Sequence, residues 1–138
     1  MSARFWRSLT AVGLAVVAAA TGAVATAAPA GAAAYGGQCG AGYEWIQSRF
    51  LDGGTVYLTY NASNGYNCVV TIRDDPGSAV YMNAFVKRST EDAWVRDPGN
   101  YTTYAGPVYT YARSQCVDWG GTIYGVSNQV VVTRSACG

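Results

Sequence analysis

TVYLTY (Thr55–Tyr60), NASNG (Asn61–Gly65) and NCVVTIR (Asn67–Arg73) follow one another almost without a break. Two runs of β-branched and aromatic residues flank a short segment of Asn, Ser and Gly, types that tolerate positive φ in tight turns. Apolar residues recur at every second position, the repeat of a pleated strand, and not at three and four. The stretch reads as an antiparallel hairpin. Upstream, Tyr43–Leu51 (YEWIQSRFL) reads as a strand reaching it through the turn Asp52-Gly53-Gly54, which makes a three-strand meander. Downstream, the turn Asp74-Asp75-Pro76-Gly77 leads into VYMNAFVKR (Val80–Arg88). That run places Val80, Met82, Ala84 and Val86 on one face and Tyr81, Asn83, Phe85 and Lys87 on the other. A short strand at Ala93–Arg96, a turn at Asp97–Asn100, and strands at Val108–Arg113, Cys116–Trp119, Ile123–Tyr124 and Gln129–Thr133 complete the pattern. Three successive valines, Val130 to Val132, predict a central strand buried on both faces. Short strands punctuated by Gly and Pro imply an all-β fold, a small antiparallel β-sandwich or barrel.

The first residues carry a different message. Arg4 and Arg7 open the chain, and no charged residue follows until Glu44. A basic start, a run of Ala, Val, Leu and Gly, and a small-residue end make the three-part pattern of a secretory signal peptide. Ala32-Ala33-Ala34 fits the cleavage rule best, so residues 1–34 are expected to be removed between Ala34 and Tyr35. Ala28-Pro29-Ala30 is the alternative site. The apolar run is long enough to span a bilayer, but it is poor in Leu, Ile and Phe and would insert weakly.

Removing residues 1–34 of 138 leaves 104, enough for one domain with a core. That secreted β domain, 35–138, holds seven Lys and Arg against eight Asp and Glu. A nucleic-acid binder needs a basic face to displace counterions from phosphates. A near-neutral chain with dispersed cations excludes that class, and it excludes electrostatic docking on a membrane after processing.

All four cysteines, Cys39, Cys68, Cys116 and Cys137, fall after the leader. An even number in an exported chain implies two disulfides. No C-x-x-C pair and no histidine is present, so a zinc site is not expected and no metal is assigned. Sequence allows three connectivities. The meander brings Cys39 beside Cys68, and a terminal hairpin brings Cys116 beside Cys137, so geometry favours those two bridges.

GTVYLTYNASNGYNCVVT (Gly54–Thr71), GNYTTYAGPVYTYA (Gly99–Ala112) and CVDWGG (Cys116–Gly121) resemble the spore-associated protein A family, small secreted proteins of filamentous actinomycetes. The resemblance runs from CGAGY at Cys39 to Cys137-Gly138. It implies a secreted protein located at the spore or hyphal surface. It brings no catalytic residue, ligand or cofactor.

The residue types point the same way. Without histidine, Ser-His-Asp and Cys-His mechanisms are excluded. Glu44 beside Trp45 and Asp118 beside Trp119 are the only carboxylates read as lying in strands next to an aromatic ring. Two opposed carboxylates could serve a glycosidase, but solvent-facing strand residues or turn acceptors explain them more simply. Asp74, Asp75, Glu91 and Asp92 read as solvated turn residues. No catalytic residue and no cofactor is assigned.

Tyrosine is the more informative residue type. All 11 tyrosines follow the leader. Tyr101, Tyr104, Tyr109 and Tyr111 form the candidate ligand surface, because exposed aromatics mark contact sites and Tyr109 and Tyr111 share a strand face. Ordinary sheet and core packing is the competing account. Trp119 reads as a core anchor. Asn61-Ala62-Ser63 and Asn100-Tyr101-Thr102 match the glycosylation sequon and read as exposed turns. The expectation is a non-enzymatic protein that contacts wall or spore-coat components. A carbohydrate-binding module is the alternative, and a protease inhibitor presenting Ser89–Asn100 is the third reading.

Overall fold

The computed structural model describes residues 32–138. The basic start and apolar run of the expected leader, with Ala28-Pro29-Ala30, lie outside the described residues. Nine strands follow: β1 (Glu44–Leu51), β2 (Gly54–Asn61), β3 (Tyr66–Arg73), β4 (Val80–Arg88), β5 (Val95–Arg96), β6 (Gly99–Tyr101), β7 (Tyr104–Tyr111), β8 (Val117–Ile123) and β9 (Gln129–Ser135). They form two antiparallel sheets. The first runs β1-β2-β3-β7; the second runs β5-β4-β8-β9, with β6 also paired to β4.

The alternation quoted above builds the first sheet. β2 and β3 pair along their whole length, from Gly54 opposite Arg73 to Asn61 opposite Tyr66. Val56, Leu58 and Val69 then point inward and meet Met82, Ala84, Val86, Val117, Trp119 and Ile123 of the second sheet in one core. Each Val, Leu, Ile or Met side chain among them contributes about 1.5–3 kcal/mol by leaving water. Thr71 Oγ1 crosses the gap and donates to the Asn83 carbonyl at 2.8 Å, tying β3 to β4.

The second sheet corrects two expectations. Cys116–Trp119 and Ile123–Tyr124 are not separate strands; β8 runs unbroken through Gly120 and Gly121, and all seven of its residues are buried. Those glycines are required by close approach. A Cβ on Gly121 would lie 2.2 Å from Thr71 Oγ1 of the facing sheet, and one on Gly120 would lie 2.0 Å from the Val130 carbonyl oxygen. The valine-rich β9 is an edge strand and not the central one. Val130 and Val132 pack on the core, while Val131 is 45% exposed. The central doubly covered position in this sheet belongs to β8. The Asp97–Asn100 turn also contains the start of β6, which pairs Gly99 with Met82.

Two disulfides close the structure, Cys39–Cys68 and Cys116–Cys137. The first pins the segment before β1 across the outer face of the first sheet. This strap is held at both ends. Tyr57 donates its hydroxyl to the Ala33 carbonyl at 2.6 Å, and the Ala33 N–H donates to Asp74 Oδ1 at 3.1 Å. Near the other end Gly42 lies against Asn61. Asn61 itself is 7% exposed, with its Oδ1 accepting from Ser63 N–H at 2.9 Å, while Ala62 and Ser63 of its sequon are exposed, as expected. Asn100 is exposed, as expected. Cleavage after Ala34 would remove the two Ala33 hydrogen bonds and leave Tyr35 as the new terminus, its ring 5.9 Å from that of Tyr57 and tilted 45° to it.

Candidate functional site

Strand alternation sends Cys68, Val70 and Ile72 of β3 to the outer face of the first sheet. Their partners on β7 face the same way. Tyr66 sits opposite Tyr111, Cys68 opposite Tyr109, and Ile72 opposite Tyr104. Three of the four tyrosines singled out from sequence therefore share this face. A register shift between Val69 and Thr71 sets Tyr104 apart along the strand. Tyr101 does not join them. It lies on β6 in the second sheet, packs against the core, and donates its hydroxyl to Asp97 Oδ1 at 2.6 Å.

Two tyrosines that local reasoning missed complete the patch. Tyr43, at the end of the strap, meets Tyr109 edge-on with ring centroids 5.5 Å apart. Tyr66 of β3 meets Tyr111 edge-on at 5.6 Å. Edge-to-face pairs at this spacing are favourable beyond the area they bury. Tyr66, Tyr104, Tyr109 and Tyr111 keep 36–43% of their surface in solvent. Gly65 makes room for this arrangement: it has φ of +79°, and a Cβ there would lie 2.8 Å from the Tyr111 ring. Beyond the strap, on β1, Trp45 and Phe50 are 59% and 75% exposed, and Trp45 packs edge-on to Tyr57 at 5.8 Å.

The patch is anchored and not merely exposed. Tyr109 donates its hydroxyl to the Cys39 carbonyl at 2.9 Å. Burial, and then the neighbouring Tyr43 and Tyr35, push the Tyr109 hydroxyl above its ordinary pKa, so it stays a neutral donor. The Cys39–Cys68 bridge lies alongside, because Cys68 is the cross-strand neighbour of Tyr109. At the same end of the sandwich, a groove of ≈ 460 Å³ opens between Ile46, Tyr60, Asn67, Ala112 and Arg113.

The carboxylates take other roles. Glu44 is exposed at the start of β1, and Asp118 lies in β8 of the other sheet, so the two are not set against one another. Asp118 accepts from Ser89 Oγ at 2.6 Å and from Arg134 N–H at 2.8 Å, and it pairs with Lys87 Nζ at 3.3 Å. Burial works against its ionisation, but those hydrogen bonds and the lysine outweigh it and hold the carboxyl below its ordinary value. A lowered folded-state pKa stabilises above the unfolded value, and the gain is lost as pH falls through the folded one. Stability should therefore drop as pH falls below about 4. Asp118→Asn should be less stable than wild type near neutral pH and converge with it in acid. Denaturant melts at both pH values measure this; parallel pH curves for the two proteins would contradict it.

Asp74 is not purely solvated, since it holds the Ala33 N–H. Glu91 pairs with Arg88, and Lys87 Nζ donates to its carbonyl at 2.6 Å. The Ser89–Asn100 segment is accordingly tied to the second sheet. Trp94 packs edge-on to Phe85 at 5.2 Å, and Asp97 Oδ2 accepts from Gly106 N–H at 2.9 Å.

No family model matches the chain, and no solved structure matches it. A curated protein of Streptomyces coelicolor (strain ATCC BAA-471 / A3(2) / M145), spore-associated protein A, is 50% identical over 91 residues, which are 65% of this chain. The chain spans 59% of that relative's length. The match supports the spore-associated protein A family, the one the tyrosine- and cysteine-bearing motifs resemble.

Proposed function

We propose that this domain is a non-catalytic protein of the spore or cell surface, secreted and held there by contacts between its tyrosine patch and wall material or surface proteins. The observation that carries the reading is the linked set Tyr43, Tyr66, Tyr109 and Tyr111, half-exposed and braced by the neighbouring disulfide. Rigid aromatics with a polar tip lose little entropy on contact, which is why Tyr and Trp dominate binding hot spots. The neutral charge balance leaves aromatic contact, and not long-range attraction, as the source of affinity. The match to a spore-associated relative supports the location.

Paired Tyr66→Ser and Tyr111→Ser substitutions test the proposal. Both side chains are exposed and neither hydroxyl anchors the strap, so the fold should persist. Retention on washed spores should fall at least about tenfold, the effect of losing ~1.4 kcal/mol or more from a hot spot. Undiminished retention of a folded variant would reject this face as the attachment surface. Retention on purified polysaccharide alone would favour the carbohydrate-binding reading of the same patch.

A further inference from the structure

A second concavity lies on the outer face of the other sheet. Asn83 and Phe85 of β4, Trp94 and Arg96 at β5, and Gln129 and Val131 of β9 line a trough of ≈ 170 Å³. Gly120 of β8 lies between these strands, with the Phe85 ring against it. It is the cross-strand partner of both Phe85 and Val131, so β8 contributes no side chain to this row. Because Gly120 has no Cβ, the Phe85 ring can lie close against β8.

Its lining is that of a binding site. Asn83 is 7% exposed, and its Oδ1 is buried with no hydrogen-bond partner among the described residues. Buried amide oxygens are almost always paired, and a ligand O–H would satisfy this one. Gln129 accepts from Thr122 Oγ1 at 3.1 Å through Oε1, which leaves its NH₂ as a donor. Phe85 and Trp94 supply an aromatic wall. Arg96 is exposed and joins no ion pair among the described residues, whereas Lys87, whose Nζ lies 5.2 Å from the centroid of the Trp94 ring, is paired with Asp118 at 3.3 Å. A guanidinium fork beside an aromatic wall suits a carboxylate carried on a ring.

We propose that this trough binds one carboxylated sugar ring, of the kind a uronic acid residue presents in an acidic polysaccharide. The ring lies against Trp94 and Phe85, one hydroxyl donates to Asn83 Oδ1, another accepts from Gln129, and the carboxylate takes Arg96. The volume is below the roughly 300–1,000 Å³ of pockets for drug-sized ligands, so it suits a single ring.

Glucuronic acid titrated into the oxidised domain tests this, read by ¹H–¹⁵N spectra of the side-chain amides and indoles. Shifts should gather at Asn83, Gln129 and Trp94 with millimolar affinity. Glucose should bind at least about tenfold more weakly, as should glucuronic acid to Arg96→Gln, the loss expected for a charge-assisted pair. The Tyr66/Tyr111 variant should bind glucuronic acid normally, so this site can fail or succeed independently of the attachment face. No shift at these three residues, equal binding of glucose, or full binding by Arg96→Gln would each overturn the proposal.

Discussion

Trp119→Ala should lower the unfolding free energy by about 3–5 kcal/mol, the usual cost of deleting a buried large aromatic. Trp119 is the largest fully buried side chain in the domain, at 0% exposure. It sits between Val86 of β4 and Val132 of β9 in the middle strand of the second sheet. Its Nε1–H donates to Ser135 Oγ at 2.8 Å, and the Arg49 guanidinium of the opposite sheet lies 5.9 Å from its ring. One side chain thus joins the strand β8, the edge strand β9 and the facing sheet. A domain of this size is stable by only about 5–15 kcal/mol, so the loss is a large share of the whole. The melting temperature should fall by about 12–40 °C, at ~4–8 °C per kcal/mol. Trp119→Phe keeps most of the volume and loses the hydrogen bond, and should cost clearly less. Calorimetry of both variants measures the difference; equal melting of Trp119→Ala and wild type would contradict the packing described.

Reduction of both disulfides should have a still larger effect. Loops of 29 and 21 residues are closed by Cys39–Cys68 and Cys116–Cys137. Chain entropy assigns about 3–4 kcal/mol to each bridge, and the two together rival the stability of the domain. Removing them separately should give different outcomes. Cys39→Ala with Cys68→Ala frees the strap and with it the carbonyl that Tyr109 holds, so the tyrosine patch should loosen while the core remains. Cys116→Ala with Cys137→Ala frees the chain end beyond β9 and should leave the patch intact. Denaturant melts with and without reductant, combined with hydrogen exchange at the strap, separate the two. A reduced protein that melts like the oxidised one would show that the bridges carry none of the stability.

Much of this was readable from residue order because period-two alternation is a local signal. β2, β3 and β4 follow directly from TVYLTY, NCVVTIR and VYMNAFVKR, and the bridge partners follow from how a meander and a terminal hairpin fold back. The errors come from positions where tertiary contact overrides local type. Gly120 and Gly121 look like a break, yet they lie inside the most buried strand because Thr71 and Phe85 press against them. Val130 to Val132 look like a central strand, yet among the described residues nothing covers the outer face of β9, and Val131 stays exposed. β7 begins at Tyr104 and not at Val108, since the irregularity around Gly106-Pro107 interrupts the alternation that marks a strand. At the candidate site, spacing identified Tyr109 and Tyr111 because they are neighbours on one strand. Tyr43 and Tyr66 arrive from other elements, and Tyr101 leaves for the second sheet, which only topology decides.

A photo-activated cross-linker placed at single positions on the protein, with spores as the target, tests the attachment face most directly. Installed at Tyr66 or Tyr111, it should join the protein covalently to spore material on illumination. Installed at Val126, in the exposed β8–β9 turn and 79% accessible, it should not. Capture from Val126 with none from Tyr66 or Tyr111 would contradict the account.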